Sequence, residues 1–196
     1  MSILIFGLVL FLGIHSVRIF AEGTRSNFIA QQGAGAWKGL YTGVSALGLA
    51  AIIYGYSVAR AQPMVLWAPL PGMRHLAALL VLVAFVLMAA AYVPGNGFKA
   101  RLHHPMVLSV KVWAFAHLLA NNTLASTLLF GSFLVWAALS FRAARQRDRS
   151  AGTVVATGRM SATLITLGVG LVAWAVFGMW IHGAWLGIRP FAAIGS

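Results

Sequence analysis

The feature that most constrains this sequence is a series of six apolar runs, each close to the length that crosses a lipid bilayer as a helix. The hydrocarbon core of a bilayer is about 30 Å thick, which requires roughly 20 apolar residues in an α-helix. The six runs are residues 3–20, 37–59, 74–93, 105–121, 123–141 and 159–183. They leave no room for a separate soluble domain in a chain of 196 residues. The sequence therefore predicts one all-α integral membrane domain over residues 1–196, a bundle of about six transmembrane helices.

This chain has very few acidic residues and no cysteine. Only Glu22 and Asp148 are acidic, and charged residues make up 8% of the chain, against about 25% in a soluble domain. A hydrolase that needs a pair of carboxylates is excluded by this shortage. The absence of cysteine excludes thiolate nucleophiles and iron–sulfur clusters. No conventional hydrolase or thiol chemistry is expected, and whether the chain is an enzyme stays open.

The basic residues predict the orientation in the membrane. They lie between the apolar runs rather than in one stripe, which indicates membrane anchors and not a nucleic-acid interface. If the six runs alternate in direction, the basic residues other than Lys111, which lies within the fourth run, divide into ten on one side and three on the other. The ten are Arg18, Arg25, Lys38, Lys99, Arg101, Arg142, Arg145, Arg147, Arg149 and Arg159, and the three are Arg60, Arg74 and Arg189. The positive-inside rule then predicts a multi-pass protein of a bacterial inner membrane with both termini periplasmic.

Two further local patterns carry structural expectations. The segment Arg142–Gly158 holds much of the positive charge and is predicted to be a loop at the lipid surface. Gly35, Gly39 and Gly43 recur at four-residue spacing, which is typical of close packing between membrane helices.

Histidines are the main groups left that could carry chemistry, and His15 and His117 lie deepest within the predicted spans. An ionisable residue inside a membrane is costly and is therefore a candidate functional residue. Histidine is a common axial ligand of haem iron, so the two residues together form a candidate haem site. For each histidine alone, hydrogen bonding between helices is the simpler explanation.

Several other residues could complete such a site. A polar and aromatic stripe lies on one face of the fourth run because its members recur every four residues; it could contact a cofactor or simply pack helices. Arg18 follows His15 by three residues, and Lys111 lies well inside the fourth run. Both could pair with haem propionates, although snorkelling to the membrane surface explains Lys111 equally well. The stripe consists of Ser109, Trp113, His117 and Asn121.

His103 and His104 precede Pro105, which is suited to the first turn of a helix. Adjacent residues point in different directions, and a zinc site needs three or four ligands. This pair is therefore predicted to lie in the cap region of the fourth span, at the lipid surface.

Six short motifs occur along the chain in a recognisable order and spacing. They are Gly13–Arg18, Trp37–Tyr41, Val65–Trp67, Ala91–Asn96, His104–Met106 and Trp113–Leu118. Together they resemble the NnrU-domain family of bacterial membrane proteins over nearly the whole chain. The family is named after a locus associated with nitrite and nitric oxide reduction. The resemblance therefore implies a role in nitrogen-oxide respiration or its regulation, with a respiratory-chain protein as a candidate partner.

The same domain occurs in the plant and cyanobacterial 15-cis-ζ-carotene isomerase, a haem b protein. By motif, the resemblance implies that His15 and His117 ligate the iron of haem b, and that an apolar ligand could bind. That isomerase has a cysteine three residues before the second histidine, where this chain has Ala114. A switch from histidine to cysteine ligation is therefore impossible here, and the isomerase mechanism cannot be carried over as such.

The sequence thus favours a haem b-binding membrane protein linked to nitrogen-oxide respiration, with two alternatives. One is an enzyme, either an isomerase or a methyltransferase-like protein. His103–Met106 weakly resembles the Arg-His-Pro element of isoprenylcysteine-type methyltransferases, but no acid follows Asp148 where those enzymes use acidic residues. The other alternative is a small transporter or oxidase assembly factor without haem.

Overall fold

The computed structural model describes residues 1–68, 71–154 and 156–191, and the described chain is almost entirely helical. The helices are α1 (Ser2–Phe20), α2 (Glu22–Ala61), α3 (Met73–Tyr92), α4 (Gly97–Leu102), α5 (Pro105–Ala120), α6 (Leu124–Ser150), α7 (Met160–Val176), a π-helical turn (Phe177–Ile181) and α8 (His182–Leu186). Helix α5 begins at a proline, and α8 is capped by Gly187, whose left-handed φ of 69° favours glycine.

Among the described residues, five helical segments are long and apolar enough to cross a membrane: α1, α2, α3, α6 and the continuous run Met160–Leu186. The fourth predicted span forms the apolar helix α5, which has 16 residues. At 1.5 Å per residue its length is about 24 Å, somewhat less than the hydrocarbon thickness. The all-α membrane fold is confirmed, with five helices of full spanning length and one shorter apolar helix.

Two helices are longer than their predicted spans. Helix α2 has 40 residues and is broken at Gly33, whose φ of 86° and ψ of 158° are readily adopted only by glycine. The predicted span 37–59 lies within its second segment. Helix α6 continues through Ser150, so the prediction that a loop begins at Arg142 is wrong. Arginine and glutamine are good helix formers, so the helix does not need to end where the apolar run ends.

The described residues form two compact units, of which the first comprises residues 1–68 and 121–143. Here α1 packs on α2 through glycines. A Cβ atom on Gly48 would lie 2.7 Å from the backbone nitrogen of Phe11. Gly39 and its two predicted packing partners have no neighbouring atoms within 4 Å of such a Cβ, so the glycines predicted to pack are the wrong ones.

The start of α6 is held against the end of α2 within this first unit. Leu66 donates its backbone N–H to the carbonyl of Asn122 at 2.8 Å. The hydroxyls of Tyr56 and Ser126 are 3.0 Å apart. These hydrogen bonds connect segments that are more than 50 residues apart in sequence.

The second unit comprises residues 71–120, 144–154 and 156–191, with α3 packed between α5 and α7. A Cβ atom on Gly170 would lie 2.6 Å from the Cα of Val86, so α3 and α7 approach closely. The indole N–H of Trp174 donates to the carbonyl of Ala78 at 3.1 Å, linking the same two helices.

Large apolar side chains cover the outer surface of the spanning helices. Val9, Ile53, Leu79 and Val172 are all more than half exposed. Such a surface is unfavourable in water and suited to lipid, so the structure supports a lipid bilayer as the environment of this protein.

Candidate cofactor site

His15 lies on α1 in a cluster of aromatic side chains in the first unit. Its ring stacks on Phe11 with centroids 4.2 Å apart. Tyr41 lies 5.0 Å away, and Trp136 meets the histidine ring edge-on at 5.9 Å. The Nδ1 atom of His15 is 2.6 Å from the carbonyl oxygen of Phe11, one helical turn earlier.

The hydrogen bond of His15 determines which of its nitrogens carries the proton. A carbonyl oxygen can only accept, so Nδ1 must donate. In the neutral imidazole, Nε2 then keeps its lone pair. Nε2 is therefore the nitrogen able to bind a metal.

Arg18, the predicted partner of a haem propionate, lies one turn from His15 on α1. Its side chain is 63% exposed, and its Nε atom lies 3.9 Å from Oε2 of Glu22. Arg25 binds the same carboxylate at 2.7 Å. The Glu22 carboxylate therefore forms ion pairs with both arginines near the end of α1.

His117 lies on α5 in the second unit and repeats the local arrangement of His15. Its Nδ1 is 2.9 Å from the carbonyl oxygen of Trp113, four residues earlier. The two rings are 5.0 Å apart at an angle of 48°. The same donor argument makes Nδ1 the protonated nitrogen of neutral His117 and leaves the lone pair on Nε2.

The other site residues predicted in the fourth span differ in burial and in their position on the helix. Ser109 is buried and Trp113 is half-buried on α5. The helix ends at Ala120, so the prediction that Asn121 ends the helical stripe is wrong by one residue. Lys111 is half-buried near the middle of α5; at 100° per residue, it lies about 120° around the helix from His117. Lys111 and His117 therefore occupy different faces.

His15 belongs to the first compact unit and His117 to the second. Among residues 1–68, 71–154 and 156–191, no group of three or more His, Asp or Glu side chains is arranged to hold a metal ion. The two histidines lie on separate apolar helices, α1 and α5.

A shallow groove of about 510 Å³ opens in the first unit between α1 and α6. Ser16, Thr127 and Ser132 supply hydroxyls to its lining, and Trp136 and Leu139 supply apolar surface. Its volume is in the range of small-molecule sites. Because Trp136 also contacts His15, the groove adjoins the aromatic cluster.

His182, near the end of the last apolar run, lies in the second unit. It follows the π-helical turn, and π-helical turns are frequent at functional sites. Its Nδ1 is 2.7 Å from the carbonyl oxygen of Ile188, and its ring meets Phe177 edge-on at 5.8 Å. The periodicity of an apolar run contains no signal for a π-turn.

Sequence reasoning also missed the partner of His103 and His104, which is Asp148 near the end of α6. Oδ2 of Asp148 lies 2.8 Å from Nε2 of His104 and 3.1 Å from Nδ1 of His103. The histidines do not simply cap α5 at the lipid surface, as the sequence predicted. The 44 residues between His104 and Asp148 hide this contact from any local pattern.

The electrostatic environment of Asp148 favours its ionised form. The apolar stretch of α6 ends near Phe141, and Asp148 lies beyond it in the charged extension. Partial desolvation alone would raise the pKa of Asp148. The positive charge and hydrogen bond of His104, with contributions from His103 and Arg145, outweigh that effect and lower the pKa below its ordinary value.

Comparison with known proteins gives one result about family. Neither the curated proteins nor the solved structures contain a match to this chain. The family model described as NnrU protein matches residues 3–190, nearly the whole chain. The chain, an all-α membrane protein with a hydrogen-bonded histidine on each of two apolar helices, therefore belongs to the NnrU family.

Proposed function

We propose that this protein binds haem b, with His15 and His117 as axial ligands of the iron, and that it acts in nitrogen-oxide respiration or its regulation. The observation that supports this most directly is shared by both residues. Each donates its Nδ1 proton to the carbonyl oxygen four residues earlier, at 2.6 Å in His15 and 2.9 Å in His117.

This hydrogen bond is the usual preparation of a histidine for metal binding. Metal-ligating histidines almost always donate the other ring N–H to a carbonyl or carboxylate, which selects the tautomer and orients the ring. In this tautomer Nε2 carries the lone pair that a metal ion binds. In an apolar helix, the backbone carbonyl performs this role with no added charge.

The surroundings of the two histidines fit an apolar macrocycle. Phe11, Tyr41 and Trp136 pack around His15, and Trp113 packs against His117. These rings cover part of each imidazole, and both histidines are half-buried. When bound, haem supplies a one-electron redox centre.

Cations for the two haem propionates are available on the same helices. Arg18 follows His15 on α1, and Lys111 precedes His117 on α5. Arg18 already interacts with Glu22, so a propionate would compete with that carboxylate. Asn121, just after α5, adds an amide that could hydrogen-bond the macrocycle edge.

The proposal extends to location and partners. The family resemblance and the basic asymmetry of the loops support a bacterial inner membrane with periplasmic termini and a respiratory-chain protein as partner. The groove beside Trp136 supports an apolar ligand of small-molecule size.

Absorption spectroscopy of the detergent-purified protein tests the haem proposal. We expect a Soret band in the oxidised protein and sharp α and β bands after reduction, as six-coordinate haem gives. His15→Ala and His117→Ala should each lose the six-coordinate spectrum and most of the bound haem. His75→Ala is the matched control, because His75 is exposed at the start of α3.

Two results would contradict the proposal. One is protein that contains no haem after expression with a haem supply. The other is an unchanged spectrum in both the His15 and the His117 variants, which would assign the iron to other ligands.

A further inference from the structure

Asp148 occupies an unfavourable position for an acid. It lies in the last turn of α6, where the partial negative charge of the helix end repels a carboxylate. Apart from Glu22, it is the only acidic residue in the sequence. A carboxylate at this position therefore needs positive partners from outside its own helix.

The structure supplies those partners from the turn between α4 and α5. His104 forms a hydrogen bond with Asp148 at 2.8 Å. His103 Nδ1 is 3.1 Å from the same oxygen but is not aligned as a hydrogen bond, so its contact depends on charge. Arg145, on α6 itself, has a guanidinium nitrogen 4.0 Å from Oδ2 of Asp148. We call Asp148, His103, His104 and Arg145 the Asp148 cluster.

The turn that carries these histidines is strained. His103 has a φ of 65° and a ψ of −48°, and it is the one non-glycine residue with positive φ among the described residues. The His104 N–H donates to the carbonyl of Leu102 at 2.8 Å, which closes a three-residue γ-turn. This form of the γ-turn is rare and strained. Such strain persists only where surrounding contacts hold it, and Oδ2 of Asp148, 3.1 Å from Nδ1 of His103, is a charged contact of this ring.

The other charged groups near the turn are all basic. Lys99 on α4 directs its ammonium to the carbonyl of Ala91 at 3.2 Å. Arg101 on α4 is exposed. The guanidinium of Arg159, before α7, lies beside Gly95. Asp148 is therefore the single nearby charge that favours protonated histidines at this turn within the described chain.

We propose that the Asp148 cluster is a proton-operated latch. Protonation of His103 and His104 fastens the basic end of α6 to the turn that begins α5, and loss of those protons weakens the attachment and lets the strained turn relax. The proposal does not depend on haem, although α5 also carries His117.

The direction of the pH response follows from the groups involved. Histidine is the side chain that ordinarily changes charge between about pH 5 and 8. Asp148 is ionised through this range, because even the ordinary pKa of 3.8 lies below it and the pKa of Asp148 is lowered further by His104. The latch is therefore closed near pH 6 and weakened near pH 8.

A distance measurement between two spin labels tests the latch. The chain has no cysteine, so labels on Met106→Cys and Gln146→Cys attach only there; both side chains are exposed. We expect mainly one short distance at about pH 6 and a longer, broader population at about pH 8. The ratio of short to long populations should fall about two- to tenfold, as for a partly exposed charge pair.

Three variants complete the test, each checked for helicity and monodispersity. Asp148→Asn should show the long population at both pH values. Glu22→Gln, which removes the other acid, should keep the full response. His103→Gly should keep a folded turn, because glycine adopts positive φ without strain, and should show a smaller response carried by His104. A distance distribution independent of pH in the parent, or a full response in Asp148→Asn or His103→Gly, would overturn the proposal.

Discussion

A Cβ atom on Gly7 would lie 2.6 Å from the backbone nitrogen of Ile52. Helices α1 and α2 therefore pack with their backbones in direct contact at this point. Because membrane helices associate mainly through such packing and through interhelical hydrogen bonds, this glycine is central to the first unit, which positions His15.

We predict that Gly7→Leu destabilises the protein by about 1–3 kcal/mol or more, because the added side chain forces the two backbones apart. Thermal unfolding in detergent, followed by circular dichroism, measures the effect. The matched control is Gly39→Leu on α2, where nothing lies within 4 Å of an added Cβ. Equal destabilisation by the two variants would refute the assigned packing.

Asn96 is predicted to be essential for the turn between α3 and α4. Its side chain is 1% exposed, donates to the carbonyls of Ala90 and Val93, and accepts from the N–H of Lys99. Asn96→Ala leaves these groups without their partner and should cost about 1–3 kcal/mol of stability. The control is Asn27→Ala at an exposed position. Its free energy of unfolding should lie within about 0.5 kcal/mol of that of the parent.

Stability of the second unit should fall in acid because of Asp148. The pKa of this carboxyl is lowered in the folded protein, so its stabilising effect is present above the ordinary value of 3.8 and is lost as the pH falls through the lowered value. Amide hydrogen exchange of residues 144–150, compared at about pH 5 and pH 3 after correction for intrinsic rates, measures this loss. Asp148→Asn should show no such change, whereas Glu22→Gln should behave like the parent.

The orientation of the chain is tested with single cysteines in this cysteine-free sequence. Cysteines at Ser2, at the start of α1, and at Ser150, at the end of α6, should react with an impermeant reagent from opposite sides of the membrane. The reason is the ten-to-three distribution of basic residues. Labelling of both from one side would exclude the proposed topology.

The helices were the most predictable part of this protein, because a spanning helix is specified locally by the length of its apolar run. The runs 3–20 and 74–93 match α1 and α3 within about a residue. The charged extension of α6 and the π-turn at Phe177 were not predicted. The hydrophobicity of an apolar run does not show whether the helix continues beyond the run, as α6 does. It also does not show whether one turn contains an extra residue, as the π-turn does.

Among the candidate ligands, the sequence singled out His15 and His117 as the histidines deepest in apolar runs. It could not show that each donates Nδ1–H to the carbonyl four residues earlier, because that depends on the side-chain rotamer. The aromatic contact between His15 and Trp136 likewise joins residues more than 100 positions apart.

The sequence by itself determined that this chain is an all-α membrane protein of the NnrU type, since both the apolar runs and the family motifs are properties of short segments. The tertiary structure decided that Gly7 and Gly48, rather than Gly39, pack against a neighbouring helix. It also decided that His104 forms a hydrogen bond with Asp148. Spacing along one helix shows which residues share a face, but not which helix lies against that face. Those contacts depend on how distant segments meet, and only the folded chain brings them together.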